Sequence, residues 1–185
     1  MTADDAFDDL EPIFGAAREE RRAEEEEYTK AALRQWARHR DILDVVRELQ
    51  HRGDTVSMQA GDIVFIGTID AVGRDYAQLR TDGGRVDVRL APSPNDHTPA
   101  PMLVRVLSRA RHGGRRTEAD APTFRARLLE YDEDEIEAVV GVPTIGDELR
   151  GCLVVGRDHI AVRDRDGGET YVSLDCVVWV KPWRG

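Results

Sequence analysis

Between residues 105 and 116 the chain reads RVLSRARHGGRR, five arginines and one histidine with no acid among them. Guanidinium pairs bidentately with phosphate oxygens, so Arg105, Arg109, Arg111, Arg115 and Arg116 are candidate contacts to a nucleic-acid backbone. The plainer reading of the same run is a solvated connector that pairs with acidic residues of its own chain, and a protein partner is a third. Two more arginines stand in a repeated turn, Gly73-Arg74-Asp75-Tyr76 and Gly156-Arg157-Asp158-His159. Arg74 and Arg157 each lie close to a ring, an arrangement that can stack on a base. An ordinary hairpin turn, with glycine at positive φ and aspartate as cap, calls for the same residues.

Other reactive groups fall in no working pattern. Cys152 and Cys176 lie among apolar neighbours and read as buried, inert thiols. The histidines His39, His51, His97, His112 and His159 are scattered without metal-ligand spacing. No phosphate-cradling glycine loop and no nucleophile elbow is present. The acidic run at 132–137 reads as a charged passage from helix to strand. The expectation is therefore a protein that is not an enzyme, with no metal and no cofactor.

The 185 residues suffice for one large domain or two small ones. The formal net charge of −10 argues against a surface that grips nucleic acid or an anionic membrane all over. The charge is uneven: residues 1–27 hold 11 acids and three bases, whereas residues 28–120 hold 15 bases and 12 acids. No apolar run approaches the roughly 20 residues of a membrane span, and the acidic start lacks the features of a signal peptide. A cytoplasmic location is expected.

These groups must be carried by the elements the pattern implies. Residues 16–40 hold no Gly or Pro and abound in Ala, Glu and Arg, so a long helix is expected there. Tyr28, Ala32 and Trp36, then Ile42, Val45, Val46 and Leu49, follow helical spacing, which predicts that the second half of that helix docks and that Trp36 is a core anchor. Trp179 is expected to be another, and Trp183 to be exposed. After Asp54 the period changes to two, predicting strands near 55–60, 62–72, 75–81, 85–91 and 102–108. Residues 92–101, with four of the eight prolines, read as a loop. A short helix at 122–131 precedes strands near 138–143, 147–155, 159–165, 169–174 and 176–180.

The second series repeats the first. Val72-Gly73-Arg74-Asp75-Tyr76 matches Val155-Gly156-Arg157-Asp158-His159, and Asp82-Gly83-Gly84 matches Asp166-Gly167-Gly168. An antiparallel meander this short buries its faces best by curling into a small barrel. The fold class expected is α+β, mainly β: a charged N-terminal helix (1–40), a first helix-capped five-stranded barrel (41–110), a linker (111–121) and a second such barrel (122–185). The two are expected to meet through their edge strands.

The order of helix and five strands resembles Sm-like, and more loosely SH3-like, small barrels. Gly67-Thr68-Ile69-Asp70 and Gly151-Cys152-Leu153 look like that family's bent second strand, and residues 171–180 are similar to its closing pair. Nearly the whole chain resembles a loosely defined group of actinobacterial tandem small-barrel proteins. The shared features are Phe7-Asp8-Asp9-Leu10-Glu11, a Glu/Arg-rich helix, the two Val-Gly-Arg-Asp motifs and Thr123-Phe124-Arg125-Ala126. Some of that group are labelled Fis-type transcriptional regulators, but no helix-turn-helix pattern supports the label here. Where Sm proteins that bind RNA carry a base-holding Asn, this chain has Ala77 and Ile160, and the Arg-Gly pair between the last strands is replaced by Asp175-Cys176. The family's base site therefore has no residue here to carry it.

The function expected is a non-enzymatic interaction module of a cytoplasmic assembly, binding RNA or a protein partner, with RNA held through the Arg-rich segment. The alternative is a DNA-associated transcriptional regulator that contacts the phosphate backbone. Two fused barrels with a proline-rich insert beside one closing strand point to a monomer or homodimer.

Overall fold

A computed structural model describes residues 11–90, 102–143 and 147–183. The Phe7–Leu10 motif and the proline-rich loop at 92–101 lie outside the described residues. The chain divides into two compact units, Met1–Asp41 and Ile42–Gly185.

The first unit carries helix α1 (Glu11–Arg38). Its good helix formers build it, but they give it no apolar stripe. Tyr28 and Leu33 are exposed, and Trp36, expected in a core, is 55% exposed with the Arg40 guanidinium 4.1 Å from its ring centroid. The sequence pattern runs on through Ile42, Val45, Val46 and Leu49, but those residues belong to a separate helix, α2 (Ile42–Arg52). One apolar period thus spans two helices. No helix among the described residues is long and apolar enough to cross a membrane.

The second unit is α+β and mainly β. α2 leads into strands β1 (Thr55–Ala60), β2 (Ile63–Val72), β3 (Tyr76–Thr81), β4 (Gly84–Arg89) and β5 (Met102–Ser108). Helix α3 (Phe124–Glu133) leads into β6 (Glu137–Val142), β7 (Asp147–Val155), β8 (His159–Arg163), β9 (Glu169–Ser173) and β10 (Trp179–Pro182). The strands form one open antiparallel sheet in the order β5-β1-β2-β3-β4-β10-β6-β7-β8-β9. Within it the order of the first five is repeated by the second five. The join is the pairing of β4 with β10, Trp179 opposite Val88 and Val180 opposite Asp87.

Equivalent glycines bend β2 and β7. A Cβ on Gly67 would strike the carbonyl of Arg80, and one on Gly151 the carbonyl of Arg163, so only glycine lets the neighbouring backbone approach. Two hydrophobic cores follow the two halves, and each borrows from the other. Val46, Met58, Leu79 and Val86 pack with Trp179 from the second half, while Phe124, Leu128, Ile160 and Val180 pack with Tyr76 from the first.

Cys152 departs from expectation: strand alternation turns it outward between buried Gly151 and Leu153, so it is exposed, and Cys176 is half-buried. Trp179 is 1% exposed and Trp183 lies at the surface, as read from the sequence.

Candidate nucleic-acid interface

The Arg-rich segment is strapped to the body along its length. Asp54, buried at the end of α2, accepts from the backbone N–H of Ala110 (3.0 Å) and from Arg52 Nε (2.8 Å). Gly114 lies so close to Gly53 and the carbonyl of Gln50 that a Cβ would clash with their backbone. Gln50, 1% exposed, donates through Nε2 to the carbonyls of Thr117 (2.7 Å) and Asp70 (3.0 Å). Val72 then bridges in parallel to Glu118, with its N–H on the Thr117 carbonyl and its carbonyl accepting from Ala119 N–H.

This strapping walls a groove of about 580 Å³. Its floor comes from β2, β3 and β4, its sides from residues 112–121 and from Arg127 and Glu130 of α3. On the floor one carboxylate, Asp70, takes two guanidiniums, Arg80 at 2.5 Å and Arg85 at 3.3 Å. Asp70 is the residue looped out where the β2–β3 register shifts, which turns its side chain onto that face. His112 and Arg115 line the same groove, and the acids Glu118, Asp120 and Glu130 complete it, Glu130 sharing Arg127 with the buried Asp87. Among the described residues the Oε1 of Gln50, also at the groove, is a buried acceptor without a donor.

The structure thus brings Arg115 together with Arg80 and Arg85. Arg105 stands exposed on β5 opposite Ser57, and Arg109, Arg111 and Arg116 are exposed along the strapped segment. Arg74 is exposed in the β2–β3 turn, its N–H held by the Pro122 carbonyl (2.9 Å). Its neighbouring ring, Tyr76, is buried and donates to the Ala121 carbonyl (2.9 Å), so the first repeated turn offers no ring for stacking. Arg157 lines a second groove, of about 650 Å³, with Arg89, Arg125, His159 and Tyr171, which shares no lining residue with the first.

Sequence reading missed Arg80, Arg85 and Gln50. The signal for Gln50 was present: an amide follows Leu49 on the apolar stripe of α2, and a polar side chain on a buried face must find partners. No group of three or more His, Cys, Asp or Glu side chains that could hold a metal ion occurs among the described residues.

The strap has a testable acid dependence. Burial pushes the Asp54 carboxyl up, but the Ala110 amide and the Arg52 guanidinium outweigh burial and hold its pKa below the usual value. Its contribution is therefore fully present above an unfolded pKa of about 4 and is lost as pH falls through the lower folded value. Asp54→Asn is expected to flatten the acid limb of the stability profile, read as unfolding midpoints from neutral to acid pH. In Asp54→Ala, which removes the acceptor, the Ala110 amide is expected to exchange with deuterium roughly 10-fold faster.

No protein-family model matches the chain, and no curated protein matches it at a significant level.

Proposed function

We propose that this chain is a non-enzymatic binding module of a cytoplasmic assembly, and that it holds single-stranded RNA along the groove of Arg80, Arg85 and Arg115. The observation that carries the reading is the strap itself. Asp54, Gln50 and Val72 pin the backbone of residues 110–119, which sets Arg115 at the groove beside Arg80 and Arg85 of the sheet. A guanidinium on a pinned backbone binds phosphate with less ordering cost than one on a loose tether. A groove walled on both sides suits a strand with unpaired bases better than a duplex.

We read the two five-strand halves as tandem Sm-like small barrels capped by α2 and α3. Support comes from the repeated strand order, the equivalent bending glycines and the helix that precedes each half. The RNA reading rests on the groove and not on a family base site, since Ala77 and Ile160 are both buried.

A low-salt gel shift against single-stranded RNA, single-stranded DNA and duplex DNA tests the proposal. RNA is expected to shift most strongly, and the variant with Arg109, Arg111, Arg115 and Arg116 changed to Ala is expected to lose the shift. Absence of any shift at micromolar protein overturns the proposal, and stronger binding to duplex DNA moves the chain to a DNA-associated role.

A further inference from the structure

The groove that carries Arg80, Arg85 and Arg115 has an oppositely charged wall. The sequence there is RRTEADA, residues 115–121. Val72 holds this stretch on both sides of Glu118, through the Thr117 carbonyl and the Ala119 N–H. Side chains of an extended segment alternate, and burial follows that alternation. Ala119 packs on the core of the second half and Ala121 is buried, whereas Glu118 and Asp120 are exposed and line the groove.

These two carboxylates differ from the other acids of the groove. Asp70 holds Arg80 and Arg85, and Glu130 shares Arg127 with Asp87. Glu118 and Asp120 make no side-chain ion pair or hydrogen bond among the described residues, although guanidiniums line the same groove. Beneath them Gln50, 1% exposed, has its amide donors taken by the carbonyls of Thr117 and Asp70. Its Oε1 has no donor among the described residues. The unsatisfied groups on this wall are thus all acceptors, while the floor supplies donors.

A ligand that fits must bring acceptors to the floor and donors to the wall. A cation suits the wall poorly, because the guanidiniums of the floor repel it. Neutral N–H donors escape that repulsion. A strand whose phosphates lie on the arginines carries such donors on its bases, and unpaired RNA bases are read on their Watson–Crick edges. A carboxylate has two oxygens and accepts two parallel N–H bonds. Among the four bases guanine alone offers two adjacent donors on that edge, N1–H and the 2-amino group. Uracil offers N3–H between two carbonyls that repel a carboxylate. Adenine and cytosine set one amino donor beside a ring-nitrogen acceptor.

We infer that the groove selects guanine within single-stranded RNA, and that Glu118 sets the selectivity by accepting N1–H and the 2-amino group together. Asp120 adds a second acceptor on the same wall. Val72 fixes the backbone of Glu118, so the carboxylate meets a base without first ordering the chain that carries it. The inference rests on the RNA reading above and adds to it the base that the groove takes.

The test is fluorescence anisotropy of the full-length protein at low salt with a short all-uridine RNA, and with the same RNA carrying one central guanosine, adenosine or inosine. The guanosine RNA is expected to bind about 10-fold more tightly than the all-uridine RNA, the scale of one bidentate contact to a base. Adenosine is expected to add nothing. Inosine keeps N1–H but lacks the 2-amino group, and is expected to lose most of the gain. Glu118→Gln keeps the shape of the side chain and removes its charge. The guanosine RNA is expected to bind this variant more weakly than the wild type. The all-uridine RNA is expected to bind it more tightly, because a carboxylate no longer lies beside the phosphates. A folding defect weakens both, so changes of opposite sign identify a role in selection. Equal affinity of the wild type for all of these RNAs, or a guanosine preference that survives in Glu118→Gln, overturns the inference and leaves the RNA reading standing. Absence of binding to any of them overturns both.

Discussion

Asp87→Ala is expected to destabilise the Ile42–Gly185 unit by about 3–5 kcal/mol, the cost of breaking a buried ion pair on one side. Asp87 is fully buried and sits on the strand that joins the two halves. Its oxygens accept from Gln78 Nε2 (2.9 Å), Arg127 Nε (2.9 Å) and the Tyr131 hydroxyl (3.0 Å). Burial, and then the Asp87 charge, raise the Tyr131 pKa, so its hydroxyl remains a donor across the ordinary pH range. Without the carboxylate, a half-buried guanidinium and a buried phenol lose their acceptor together. Asp87→Asn keeps an acceptor for Tyr131 and is expected to cost less. The double variant Asp87→Leu with Arg127→Met, which removes both charges, is expected to recover much of the loss. Urea midpoints at unchanged m-value measure all three.

Trp179→Ala is expected to cost about 3–5 kcal/mol. Trp179 is 1% exposed and contributes to the first half's core although it belongs to the last strand. Its ring meets Phe65 edge-on with centroids 5.2 Å apart, and it lies over Gly141, where a Cβ would strike the indole. Truncation leaves a cavity between the two cores that neither can fill. The opposite change, Gly141→Ala, overpacks the same spot and is expected to cost about 1–3 kcal/mol. Calorimetry separates the two readings of this residue. If Trp179 couples the halves, its loss splits the unfolding transition, and if it only fills space the transition shifts as one.

These two residues mark where the sequence was legible and where it was not. Period-two alternation and glycine turns located the strands closely, and β1 and β5 begin and end where they were expected. The run CVVWV predicts a strand from Cys176, yet Leu174–Cys176 forms a 3-10 turn and β10 starts at Trp179. An apolar run has no alternation to set its phase, so pairing with β6 and β4 decides where the strand starts. Alternation tells which face a residue takes and not which strand lies beside it, and for that reason the registry of β4 against β10 was not readable. Trp36 misled because a lone aromatic in a charged helix carries no information about a partner surface.

The candidate site divides in the same way. The cationic run at 105–116 was evident from composition. What turned it into a groove was not, because Arg80 and Arg85 belong to a hairpin and meet Asp70 only through the β2–β3 bulge. The anchors Asp54 and Gln50 lie in the first half and reach the segment 56 and 67 residues further along the chain.

The most direct test of the RNA-binding reading is the salt dependence of affinity for a short single-stranded RNA, measured for the wild type, for Arg85→Ala with Arg115→Ala, and for Arg74→Ala. Each phosphate contact on a single strand contributes about −0.7 to the slope of log K against log salt. Loss of Arg85 and Arg115 is therefore expected to flatten the slope by about 1.4 and to weaken binding at low salt, with Arg74→Ala leaving both unchanged. A slope that is the same in all three proteins contradicts the account.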